Sequence, residues 1–248
     1  MGTRLDVVMI GEELLLFEVW KKLIAETERL HHKLNRFDPA SEISHINREA
    51  VLRPVELNEE LWHIMINLKK YHHNTLGFFD ATLGNFDKVI LDKTHKTVEF
   101  AEKNISLDLG GYAKGYALEQ IREILFQSGV TQALVNFGNS SVLAVGSHPH
   151  GEYWGIGVED PFKPGRQLKT YELCNRSLST SGNTLQHTGH IFNPRLRKYT
   201  TENKLVSAVS SKAVDAEVLS TALMVADEMS NLSIKKAYKN IIIDIFAV

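Results

Sequence analysis

The segment Leu107-Asp108-Leu109-Gly110-Gly111-Tyr112-Ala113-Lys114-Gly115-Tyr116 decides how the chain is read. Leading into it, Ile105-Ser106-Leu107-Asp108-Leu109 alternates apolar and polar residues, which predicts a half-buried strand. Two glycines break the alternation, and residues 112–128 read as a helix ended by Gly129. A helix N-terminus leaves backbone N–H groups unpaired and carries partial positive charge, so such a junction attracts phosphate. Paired glycines let a ligand approach the backbone closely, and Lys114 adds a full charge in the first turn. An ordinary strand–turn–helix connection with a solvated lysine has the same local sequence, so this segment alone names no ligand.

Outward from this junction the texture is mixed. Upstream, Leu5–Ile10 reads as a strand, and Leu15, Leu16, Val19, Leu23, Ala25, Leu30 and Leu34 place a long amphipathic helix over 12–35. Ser41 and Asn58 are placed to cap two further helices, the second stopped by Gly77. Residues 89–91 and 97–100 read as strands around the turn 93–96. Downstream, strands are expected at 133–137, 142–146, 154–158, 168–174 and 204–210. A helix at 213–228, a shorter one and a terminal strand at 241–245 close the chain. Helices and strands do not alternate as regular βαβ units, so the expected class is α+β. No repeat or low-complexity linker appears and the prolines do not cluster, which predicts one compact domain over 1–248.

The composition excludes more than it names. The chain has 248 residues, 43% hydrophobic and 23% charged, with a formal net charge of −2. That is ordinary globular composition, not that of a disordered chain. Near-neutrality gives no field to gather a polyanion, so nucleic acid is not an expected partner. The one cysteine, Cys174, can form neither an internal disulfide nor a cysteine-based zinc site. No apolar run approaches the ~20 residues that span a bilayer. The start carries no basic n-region, apolar h-region or small-residue cleavage site, consistent with a cytoplasmic chain or one beginning after a removed leader.

Two more segments bear chemistry-capable side chains. In Ala216-Glu217-Val218-Leu219-Ser220-Thr221, Glu217 and Thr221 share a helix face, and a carboxylate with a hydroxyl suits a hard cation such as Mg²⁺. Asp215 points elsewhere. A solvated acid and a threonine bonded to its own helix would look the same. The segment His187-Thr188-Gly189-His190-Ile191-Phe192-Asn193-Pro194-Arg195 offers an imidazole as general acid or base. With eleven histidines in the chain, most are structural or solvated. Just upstream, Ser179-Thr180-Ser181-Gly182-Asn183 reads as a small polar turn able to hold phosphate or cap a helix. There is no Gly-x-Ser-x-Gly elbow, Walker loop or His-Glu-x-x-His.

Taken in order, these segments resemble the ApbE family of FAD:protein FMN transferases along nearly the whole chain. The resemblance rests on Met1-Gly2-Thr3, Phe37–Asn47, Gly77–Gly84, Leu107–Tyr116, Asn136–Asn139, Trp154 with Glu159-Asp160-Pro161, Ser179–Asn183, His190–Arg195 and Ala216–Leu223. It implies a single T-fold-like domain that binds FAD as substrate and uses Mg²⁺ at the pyrophosphate. It also implies transfer of FMN to a Ser or Thr hydroxyl of an acceptor flavoprotein, with release of AMP. Carried over residue by residue, it implies a metal site of Glu217, Thr221 and a backbone oxygen near Gly111, and a catalytic role for His190. Phe37 falls where an aromatic packs on flavin. Asp108, Gly110, Gly111, Lys114 and the Thr180-Ser181-Gly182 turn fall at the nucleotide. Relatives of this kind are often periplasmic or lipid-anchored, which implies an envelope-associated role.

The sequence also departs from the family pattern. Glu217 stands where the family carries a metal-binding Asp, one methylene shorter. Asn139, Asn183 and Asn193 stand at positions where acids are common, and Leu196-Arg197 replace a Thr-Gly pair. Three readings therefore stand side by side: an active FMN transferase, an FAD-binding homologue with little transfer activity, and an FAD pyrophosphatase giving FMN and AMP.

Overall fold

A computed structural model describes residues 3–185 and 188–248. His187 and the Met1-Gly2 start lie outside the described residues. In chain order the elements are β1 (Leu5–Met9), α1 (Glu13–Leu34), α2 (Glu42–Glu49), β2 (Val55–Glu56), α3 (Glu59–Asn74), β3 (Val89–Asp92) and β4 (Thr97–Phe100). Then follow α4 (Ala113–Gln127), β5 (Ala133–Phe137), β6 (Ser141–Val145), β7 (Trp154–Glu159), β8 (Gln167–Leu173) and β9 (Arg176–Gly182). The chain closes with β10 (Phe192–Asn193), β11 (Lys198–Tyr199), β12 (Lys204–Ser210), α5 (Ala213–Val225), α6 (Glu228–Ala237) and β13 (Ile242–Ala247). Ser41 and Asn58 cap α2 and α3 as expected, each accepting a backbone N–H three residues on, at 3.0 and 2.9 Å. Such caps contribute roughly 1 kcal/mol each. Among the described residues, no helix is long and apolar enough to cross a membrane.

The centre is a six-stranded sheet in the order β1-β5-β6-β9-β12-β13, antiparallel throughout. Alternation gives it two working faces. Val135, Phe137, Leu143, Val206 and Ala208 join one core with the helices. Val142, Ala144, Leu178, Leu205 and Val209 join a second core under the β7–β8 hairpin, with Trp154, Tyr171 and Leu173. α5 lies on the helical face, and its alanines and serines let it be buried almost all round. A smaller sheet, β2-β4-β3, forms beside α2 and α3.

Two expectations do not hold. Residues 105–109 alternate in burial, yet they form no strand. The Asn47 side chain takes both backbone groups of Leu107, donating to its carbonyl at 3.1 Å and accepting its N–H at 2.7 Å. The Asp108 N–H goes to the Ala81 carbonyl at 2.6 Å. The ladder partners of this segment are thus one amide side chain and a loop. Conversely, the segment read as a polar turn, with Thr180, Ser181 and Gly182, is the end of β9, a central strand of the large sheet.

α1, α3 and α4 are tied by one carboxylate. Glu60 receives two Arg29 N–H bonds at 2.7 Å, a Lys33 bond at 2.6 Å and the Tyr116 hydroxyl at 3.0 Å. The hydrogen bonds from Arg29 are the main cause holding its carboxyl down at about 2, against the opposing effect of burial and with help from Lys33. A depressed carboxyl stabilises the fold above its unfolded value of 4.5, and that contribution is lost as pH falls towards 2. Glu60→Gln should therefore lower stability at neutral pH by about 1–3 kcal/mol. It should also flatten the stability curve between those two pH values, as read by urea unfolding at a series of pH.

Candidate functional site

Where α4 meets α5, the helices touch almost backbone to backbone. A Cβ on Gly115 would lie 2.8 Å from the Ala213 carbonyl oxygen and 2.9 Å from the Glu217 Cβ, so glycine is what permits this approach. The contact puts Lys114 of α4 beside Glu217 of α5. Glu217 is 3% exposed, and its Oε1 receives the Lys114 ammonium. Its Oε2 receives the hydroxyls of Ser141 and, at 3.1 Å, Ser179. A buried carboxylate needs such partners, because unpaired it would be strongly destabilising.

One helical turn on, Thr221 is half-buried, with its Oγ1 3.4 Å from the Ser181 hydroxyl. Gly111 packs against it: a Cβ there would come 3.2 Å from Thr221 Oγ1. The structure thus brings Glu217, Thr221, Gly111, Lys114 and Ser181 together from α5, the α4 entrance and β9. Asp215 points away, accepting the Tyr71 hydroxyl at 2.6 Å.

The N-terminus of α4 has no side-chain cap, and the Tyr112 and Ala113 N–H groups turn back to the Leu109 carbonyl at 3.0 and 2.8 Å. Before it, Asp108 Oδ1 accepts the Gly110 N–H at 2.9 Å, and Oδ2 pairs with Arg36 Nε at 3.2 Å. The Arg36 guanidinium stacks on the Phe37 ring at 4.5 Å, and Phe37 is 79% exposed. Arg36 therefore links an outward-facing aromatic to the glycine turn. His190 is exposed on the segment between β9 and β10. That segment is tied back to the end of β9 by the Gly189 N–H, which bonds Asn183 Oδ1 at 3.0 Å.

Two sequence readings change. Thr180 and Gly182 face the hairpin side of the sheet, opposite Ser181. Thr180 Oγ1 pairs with Ser207 at 3.1 Å, and a Cβ on Gly182 would clash with Leu205 at 2.5 Å. The asparagines at acid-prone positions are not a row of neutralised ligands. Asn183 Nδ2 donates to the carbonyls of Thr200 and Glu202 at 3.1 and 2.9 Å, and Asn193 Nδ2 donates to Val225 at 3.1 Å. Asn139 takes a left-handed conformation, φ 55°, and bonds Asn136. Sequence reasoning also missed Ser141 and Ser179. For Ser179 the signal was the period-two run Ser177-x-Ser179-x-Ser181, which marks a strand with one hydroxyl face; Ser141, on β6, has no such local signal.

The large antiparallel sheet with an α4–α5 pair over one face is the fold of flavin transferases of the ApbE kind. The structure matches the ApbE protein of Thermotoga maritima with a TM-score of 0.86 at 21% identity, covering 98% of this chain and 90% of that one. It matches the flavin transferase ApbE of Vibrio cholerae with a TM-score of 0.81 at 18% identity, covering 98% and 89%. The sequence profile of the ApbE family matches residues 1–97 and 84–242, and the chain belongs to that family. An FAD:protein FMN transferase of Chlamydia muridarum is 26% identical over 268 residues, covering 90% of this chain and 82% of the relative. One from Klebsiella pneumoniae is 33% identical over 146 residues, covering 55% and 44%.

Asn183→Asp tests the structural reading of the asparagines. A carboxylate cannot donate to the two carbonyls, so stability should fall by about 1–3 kcal/mol by thermal or urea unfolding. Unchanged stability would show that the two donated bonds are not what the amide at position 183 is for.

Proposed function

We propose that this protein is an FAD:protein FMN transferase, moving FMN from FAD to a Ser or Thr hydroxyl of an acceptor flavoprotein and releasing AMP. The observation that carries this reading is the meeting of Glu217, Thr221, Gly111 and Lys114 at the N-terminus of α4. Family membership supplies the reaction, and the geometry supplies groups suited to a pyrophosphate.

The donor set fits a divalent cation. Glu217 and Thr221 offer hard oxygens one helical turn apart, as Mg²⁺ prefers. Lys114 holds Glu217 Oε1 in the structure, so a cation bound there would displace the ammonium and free it for the phosphates. Glu217, Thr221 and the backbone at Gly111 would hold the metal, which when bound neutralises charge developing on the phosphates.

The chain's own groups do the rest. The α4 first turn and Lys114 bind the pyrophosphate and balance the charge of the departing AMP phosphate. Phe37, held by Arg36, offers a face to the flavin ring. In the transfer, the acceptor oxygen bonds to the flavin-side phosphorus and the bond to the AMP oxygen breaks. The acceptor's hydroxyl proton passes to the His190 imidazole as general base. Positioning and charge neutralisation account for most of the rate in such a transfer.

The test is incubation with FAD, Mg²⁺ and an acceptor carrying a Ser/Thr target motif. Flavin fluorescence that survives denaturing electrophoresis on the acceptor is the expected result. Free FMN and AMP without label would indicate hydrolysis, and unchanged FAD would indicate binding alone. Glu217→Ala should abolish the Mg²⁺ response. His190→Ala should slow labelling about 10²-fold or more while FAD binding is kept, since general-base catalysis contributes roughly 10²–10⁴.

A further inference from the structure

Ser141 and Ser179 are directly opposite each other in the β6–β9 ladder, both on the helical face. They are 1% and 2% exposed, and both hydroxyls end on the same atom, Glu217 Oε2. A carboxylate can only accept, so each serine is the donor. With its own proton on Glu217, Ser179 can accept from Ser220, 3.1 Å away, whose single proton has the Glu217 carbonyl at 3.0 Å as its alternative acceptor. The other oxygen, Oε1, receives the Lys114 ammonium. The carboxylate is therefore split, with one oxygen clamped to a rigid sheet and the other turned to the position that the Lys114 ammonium fills, where a metal ion would take its place.

We propose that Ser141 and Ser179 are positioning residues that make Glu217 a one-oxygen ligand for the divalent cation. The inference rests on the metal reading given above and adds the source of the ligand's orientation. A glutamate has three side-chain torsions, and Mg²⁺ tolerates little deviation from octahedral geometry. Hydrogen bonds to the far oxygen of a ligating carboxylate commonly set metal affinity. The clamp also gives the extra methylene a purpose. The Glu217 Cβ is pinned against Gly115 on α4, and the side chain must reach from there to two hydroxyls on the sheet. An aspartate stops one carbon short.

The experiment is Mn²⁺ titration of the folded, FAD-loaded protein, read by the electron paramagnetic resonance of free Mn²⁺. Ser141→Ala/Ser179→Ala should weaken Mn²⁺ binding about 10- to 100-fold. FAD affinity without metal should not change. Ser179→Thr keeps the hydroxyl and should bind Mn²⁺ like the unaltered protein. Glu217→Asp should weaken binding even though it restores the residue common at this position in the family. If the double variant does not fold, each single alanine variant should still weaken binding, by about 3- to 10-fold.

A folded serine variant that binds Mn²⁺ within about twofold of the unaltered protein would overturn the proposal. So would a Glu217→Asp variant that binds as tightly or more tightly. If the unaltered protein and Glu217→Ala bind Mn²⁺ equally, the metal reading itself fails and the clamp fails with it. Glu217→Ala therefore separates the two failures.

Discussion

A buried carboxylate governs the architecture around it. Glu217 is removed from water, and an ammonium and two hydroxyls are delivered to it from three other elements, without which its burial would be strongly destabilising. The ammonium arrives because Gly115 lets α4 lie against α5. The hydroxyls arrive because β6 and β9 pair in a register that sets Ser141 across from Ser179. Sheet order, helix contact and site chemistry are therefore one constraint seen from three sides.

Much of this was legible in the chain, and the failures have physical reasons. Long periodic segments such as α1 and α3 announced themselves by spacing, and the caps of α2 and α3 by residue type. β9 did not, because Arg176–Gly182 carries serines where a buried strand usually carries Val or Ile. Its serines are satisfied by neighbours far away in sequence, which no local window can show. Residues 105–109 misled in the opposite sense. Their alternation matched their burial, but their hydrogen bonds go to the Asn47 side chain and to Ala81.

The site was partly legible for the same reason. Glu217 and Thr221 share a helix face by simple spacing, and Lys114 follows the glycine pair. Their convergence needed the tertiary contact at Gly115. The asparagines show the limit of reading chemistry from residue type. Asn183 and Asn193 look like acids that lost their charge, yet each donates to backbone carbonyls that a carboxylate would repel. They brace the segment that carries His190 and its return to the sheet, so amide chemistry at those positions is architectural.

The two-faced large sheet also has an informational consequence. Along β9, Ser177, Ser179 and Ser181 point to the helices, while Leu178 and Thr180 point to the hairpin. A shift of one residue would present Leu178 and Thr180 to Glu217 and send the serines into an apolar core. Insertions and deletions thus divide by location. Those in the Asp160–Arg166 connection of the hairpin leave the phase of β9 alone, whereas a single deletion inside β9 exchanges the whole chemical alphabet of the site. The sheet acts as a reading frame for the active face.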